Sequence, residues 1–117
     1  MVVDDDEVIR KMVGACLQTW GCVVLLTESG EQALETFKAY DGTIAVVLTD
    51  IVMGGMSGIE LGDRLSQISP SLQIVFMSGY VGSSHLGGCG VLRKPLKLEE
   101  LKETIEAALG QANAGNP

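Results

Sequence analysis

Three separated apolar stretches of this sequence run straight into charged residues. Val2-Val3 meets Asp4, Asp5 and Asp6; the run 44–48 meets Thr49 and Asp50; Val91-Leu92 meets Arg93, Lys94 and Pro95. Strand-length apolar runs followed each time by a helix-like pattern read as buried parallel strands, because helices cover both faces of such a sheet. In an open parallel sheet the carboxyl ends of the strands lie along one edge. The aspartates and the lysine are therefore expected to converge there, as a phosphoryl and divalent-cation site.

Between these runs the pattern alternates. Val8, Met12, Ala15, Cys16 and Thr19 are spaced as one helical face, with Gly21 as the stop and Trp20 covering the helix end. Residues 23–26 read as a second strand. Ser29 with Gln32 forms a capping box ahead of Ala33, Leu34 and Phe37, and Ser57 with Glu60 repeats the signal ahead of Leu61, Leu65 and Ile68. Residues 72–77 read as the fourth strand. Leu98, Leu101, Ile105, Ala108 and Leu109 form the apolar stripe of a last helix that starts after Pro95. Five βα units with right-handed crossovers place helices on both faces of one parallel sheet.

One unit reads as incomplete. Gly79, Gly82, Gly87, Gly88 and Gly90 crowd the fourth connection, and each glycine in a helix interior costs roughly 1 kcal/mol relative to alanine. Only residues 81–86 are left to wind up, so the fourth helix is expected to be short or irregular. Residues 1–110 read as one domain and 111–117 as a loose tail.

The chain carries 15 acidic and 8 basic residues, a formal net charge of -7, with no basic cluster. That balance argues against nucleic acid and anionic membrane as direct partners. No stretch reads as a signal or membrane segment, and Cys16, Cys22 and Cys89 form no CxxC pair. The expected compartment is the cytoplasm, with reduced thiols.

The site's chemistry follows from its residue types. Clustered carboxylates repel one another unless a cation neutralises them, and an all-oxygen, charge-dense set suits Mg²⁺. A carboxylate is also a nucleophile able to form an acyl phosphate. Phosphoryl transfer to it needs positioning and neutralisation of the phosphoryl oxygens. Lys94 is the expected cation, and Ser78, closing the fourth strand, an expected hydroxyl donor. Taken singly each residue has a plainer reading: helix caps for Asp4 to Asp6, turns for Asp50 and Ser78-Gly79, solvated surface for His85, packing for Met53, Met56 and Met77.

Taken together, Val2-Val3-Asp4-Asp5-Asp6, Thr49-Asp50 followed by Met53, Met56 and Gly58, the segment Met77-Ser78-Gly79-Tyr80, and Lys94-Pro95 resemble the receiver domain of bacterial two-component response regulators. The resemblance implies a CheY-like, flavodoxin-like (βα)5 sandwich with strand order 2-1-3-4-5. It implies Asp50 as the phosphoacceptor, fed by a histidine kinase or phosphotransfer domain, and control of a linked domain or downstream effector. It implies Mg²⁺ held by Asp5, Asp50, the backbone carbonyl of Val52 and, through water, Asp4. Ser78 becomes the switch hydroxyl and Lys94 the ion-pair partner of the phosphoryl group, while Asp6 caps the first helix.

The chain departs from the receiver pattern at named places. Gly54-Gly55 replaces the usual proline-containing loop, which implies a looser loop, and Val91 stands where an aromatic switch residue is common. With an eroded fourth helix these make signalling through the fourth helix, fifth strand and fifth helix a weak expectation. The wording from Phe76 to Tyr80 resembles receivers at the C-terminal end of hybrid histidine kinases, so a hybrid-kinase fragment is favoured over a free-standing regulator. Two rivals stand beside this reading. One is a degenerate receiver serving only as a protein-docking module. The other, more remote, is an aspartate-nucleophile phosphatase, which needs a second acid where this chain has Val52.

Overall fold

The computed structural model describes residues 1–79 and 90–114. Their elements run β1 (Val2–Val3), α1 (Glu7–Thr19), β2 (Leu26–Thr27), α2 (Gly30–Ala39), β3 (Val46–Asp50), α3 (Gly58–Ile68), β4 (Gln73–Ser78), β5 (Gly90–Arg93) and α4 (Leu98–Ala114). The strands form one parallel sheet in the order β2-β1-β3-β4-β5, the expected flavodoxin-like arrangement. The short fourth helix expected at 81–86 lies outside the described residues, as do Tyr80, His85 and Cys89.

Side chains alternate across a strand, and the sheet sorts them into two cores. Val2, Leu48, Val75, Met77 and Leu92 face α1 and α4, packing with Val13, Leu17, Leu101, Ile105 and Ala108. Val3, Val47, Ile74 and Phe76 face α2 and α3, packing with Ala33, Leu34, Met53, Leu61 and Leu65. Each fully buried leucine contributes roughly 1.5–3 kcal/mol, enough for this small sheet to hold a rigid edge. Met53 and Met77 are buried and Met56 is partly buried against the second core, so all three pack as expected.

The helix starts follow the capping signals. Ser29 Oγ accepts from Gln32 N, while Gln32 Oε1 accepts from Glu28 N. Ser57 Oγ accepts from Glu60 N. Asp6 caps α1 by accepting from Val8 N and Ile9 N.

Several expectations are corrected. The buried face of α1 is Val13 and Leu17, flanked by Ile9, Cys16 and Trp20; Val8, Met12, Ala15 and Thr19 face outward. Both sets have helical spacing, and the direction in which Asp6 starts the helix turns the set of Val13 and Leu17 to the sheet. Ile68 and Leu98 are also exposed, because each sits at a helix end beyond the reach of the sheet. The second strand is Leu26–Thr27, displaced from 23–26, since only those residues lie level with Val2 and Val3. In the stretch 111–117, expected as a tail, α4 continues to Ala114. Among the described residues no helix is long and apolar enough to cross a membrane.

Candidate functional site

Both carboxylate-bearing junctions open at the carboxyl edge of the sheet. β1 ends at Val3, and Asp4 N still donates to Thr27 O of β2 at 3.2 Å, so the ladder holds Asp4 at the sheet's last rung. The chain then turns within three residues. Asp4 Oδ1 accepts from Asp6 N at 2.9 Å, closing an aspartate-stabilised turn. Asp4 is fully buried and Asp5, at the apex, is exposed.

Asp50 is the last residue of β3, paired with Met77, and only 8% exposed. Ile51 N donates to Met77 O at 3.0 Å, which keeps the chain on the sheet for one more residue. Thr49, fully buried, donates its hydroxyl to Asp50 O at 3.0 Å. The loop then returns, and Gly58 N donates to Ile51 O at 2.8 Å. A Cβ on Gly58 would lie 2.0 Å from Asp50 O, so this approach requires glycine. The Gly54-Gly55 loop, expected to be loose, is tied to α2: Glu31 Oε1 accepts from Met56 N at 3.0 Å, and Gly55 has φ 81°.

Lys94 follows β5. Its backbone N donates to Ser78 O at 2.8 Å, which sets it beside the end of β4. Its Nζ donates to Asp4 Oδ2 and to Asp50 Oδ2, each at 3.1 Å. Asp4 and Asp50 thus share one ammonium, which Lys94 brings from 90 positions beyond Asp4 and 44 beyond Asp50. The Lys94-Pro95 peptide is cis. Ser78 is buried at the same edge, and Val52 stands two residues beyond Asp50 with an exposed side chain.

The charges are unequally satisfied. Burial lifts the Asp50 carboxyl above the usual aspartate value, and the hydrogen bond and charge of Lys94 offset this only partly, with the Asp4 charge pushing further up. Burial lowers the tendency of Lys94 to hold its proton, but the hydrogen bonds it donates to Asp4 and Asp50, with their charges, outweigh this and raise its pKa. One ammonium serving two carboxylates stays charged, and the carboxylates remain short of positive charge. Asp5 adds a third. One carboxylate oxygen from each of Asp4, Asp5 and Asp50 lies within 4.8 Å of the other two. Three carboxylates against one ammonium, all hard oxygen donors, fit a divalent cation such as Mg²⁺.

The edge therefore brings together Asp4, Asp5, Asp50 and Lys94, with Ser78 joined to Lys94 through the backbone. Sequence reasoning missed the supports. Arg10 Nη1 donates to Asp4 O at 2.8 Å, and the only available signal was an arginine one turn into an acid-capped helix. Gly58 was noted as part of a motif but without its steric role. Val91, where an aromatic is common, lies opposite Phe76 and packs against the second core.

Comparison with known proteins agrees with this geometry. The model of the response regulator receiver domain matches residues 1–106. The transcriptional regulatory protein ZraR of Escherichia coli K12 is 32% identical over 97% of this chain, which spans 27% of ZraR's length. The response regulator receiver protein CpdR of Brucella abortus is 32% identical, with 93% of this chain matching 94% of that protein. The crystal structure of the receiver domain from the hybrid histidine kinase CckA superposes with a TM-score of 0.82 at 28% identity, covering 92% of this chain and 95% of that one. Against most of the curated relatives it matches, this chain spans less than a third of their length.

Proposed function

The chain belongs to the response regulator receiver domain family, and from that premise we propose that Asp50 accepts a phosphoryl group from the phosphohistidine of a histidine kinase or phosphotransfer domain. A carboxylate oxygen of Asp50 attacks phosphorus as the phosphorus–nitrogen bond breaks. The electron pair leaves with the imidazole, which takes up a proton, and an acyl phosphate remains on Asp50. Lys94, 3.1 Å from the Asp50 carboxylate, neutralises the incoming phosphoryl oxygens. Asp4 holds the same ammonium at the same distance.

Asp5, Asp50 and the carbonyl of Val52 would hold Mg²⁺, with Asp4 contributing through water; when bound, the ion supplies neutralisation of charge on the transferred group. The Ser78 hydroxyl, at the end of β4, donates to a phosphoryl oxygen as the switch residue. The domain is then a cytoplasmic signalling module that modifies itself, and its output is a linked domain or a separate effector. Relatives of both kinds exist, a hybrid kinase and a protein matched over nearly its whole length.

The observation that carries this reading is the ammonium of Lys94 lying 3.1 Å from both Asp4 and Asp50. With Mg²⁺ and acetyl phosphate, the intact protein should gain the mass of one phosphoryl group, and Asp50→Asn should gain none. A folded protein that stays unmodified would instead be a docking module. Multiple-turnover hydrolysis of phosphomonoesters would make it a phosphatase.

A further inference from the structure

We propose that Arg10 is a positioning residue for the divalent-cation site: its guanidinium clamps the peptide between Asp4 and Asp5 and so sets where the Asp5 carboxylate projects. The inference rests on the receiver reading above. α1 starts at its Asp6 cap, and Arg10 N donates to Asp6 O at 2.9 Å, completing the first turn. Side chains on a helix lean toward its N-terminus. Arg10 follows that lean over the turn it has just left, and Nη1 reaches Asp4 O at 2.8 Å.

Asp4 is already fixed at every other polar atom. Its N–H donates to Thr27, Oδ1 accepts from Asp6 N, and Oδ2 accepts from Lys94. Its carbonyl, which belongs to the peptide leading into Asp5, is held by Arg10. Asp5 has no such support: among the described residues its carboxylate makes no hydrogen bond or ion pair, yet it lies within reach of Asp4 and Asp50. The direction of that side chain is therefore inherited from the backbone, which the hydrogen bond from Asp6 N to Asp4 Oδ1 holds on one side of Asp5 and the guanidinium on the other.

Charge alone would argue against an arginine at this place. The N-terminal turn of a helix and the neighbourhood of a dication both disfavour a positive side chain. This makes the sign of the effect diagnostic. If Arg10 acted only through its charge, removing it would tighten cation binding; as a clamp, its removal loosens binding.

The test titrates the full chain with MgCl₂ by calorimetry, alongside metal-free thermal melts. Arg10→Met keeps the stem and removes donor and charge, and should raise the Mg²⁺ Kd about tenfold, the lower end for losing an outer support of a metal ligand. Its metal-free melt should stay cooperative and close to wild type, and Arg10→Lys should recover most of the affinity. Should Arg10→Met fail to fold, Arg10→Gln replaces it with the same expected direction. Unchanged or tighter binding in the variant overturns the clamp and leaves the receiver reading intact. Wild-type protein that binds no Mg²⁺, or that binds it equally well after Asp5→Asn, overturns the receiver chemistry and the clamp with it.

Discussion

The two junctions that deliver aspartates to the sheet edge solve one problem in opposite ways. Between β1 and α1 the chain turns in three residues, Asp4 to Asp6, and the acidic side chains make the turn: Asp4 accepts from Asp6 N and Asp6 from Val8 N and Ile9 N. Between β3 and α3 it takes seven residues, 51–57. There the backbone does the work, through Gly58 N to Ile51 O and through the bare Cα of Gly58 against Asp50 O. Asp50, whose carboxyl pKa burial lifts above the ordinary value despite Lys94, is the carboxylate proposed as the nucleophile.

The contrast is most exposed at Gly58. Gly58→Ala would drive a methyl group into the Asp50 carbonyl, and the cost should be about 4 kcal/mol or more, read as loss of a cooperative melt or a sharply lowered midpoint. A variant as stable as wild type would show that the second junction does not depend on this close approach.

Next in size is the ammonium shared by the two junctions. Lys94→Met leaves buried Asp4 and Asp50 without their partner and should cost about 2–3 kcal/mol, below the value for a fully buried pair because Lys94 is partly exposed. Millimolar Mg²⁺ should return part of that loss, since a dication neutralises the same oxygens. A loss that Mg²⁺ leaves untouched would separate the cation site from the lysine.

Smaller again is the cap. Asp6→Ala and Ser57→Ala should each cost about 1 kcal/mol in denaturant melts, with Asp6 the larger because it accepts two N–H groups and Ser57 one. The reverse order would mean that the first turn owes less to its acidic side chains than its geometry implies.

The smallest effect is one of pH. Because the folded Asp50 carboxyl has its pKa raised above the ordinary 3.8, its ionised form destabilises the fold, fully so above the raised value. As pH falls through that value toward 3.8, the folded protein takes up the proton first and recovers stability. The stability of Asp50→Asn relative to wild type should therefore be greatest at neutral pH and shrink on acidification. A difference that grows on acidification would contradict the raised pKa.

How much of this was legible in the sequence depended on the scale of the signal. The parallel sheet and the meeting of Asp4, Asp5, Asp50 and Lys94 at one edge were legible because apolar runs ending on charges mark strand ends directly, whereas the strand order came from the resemblance to receiver domains. The buried face of α1 was not: Val8 and Met12 share their spacing with Ile9 and Val13, and composition does not say which set turns inward. Ile68 and Leu98 misled for a related reason, since an apolar residue at a helix end continues the stripe in sequence while passing the rim of the sheet in space. Arg10 and Gly58 were illegible as supports because each acts on a backbone carbonyl, an atom that every residue has and no sequence pattern distinguishes.

The central claim is that Asp50, and not its acidic neighbours, carries the phosphoryl group. Borohydride reduction of the protein after Mg²⁺ and acetyl phosphate treatment converts an aspartyl phosphate to homoserine, and peptide mass spectrometry locates it. Homoserine at position 50 alone is the predicted result; homoserine at position 4 or 5, or at none in a folded and Mg²⁺-bound protein, would contradict the account.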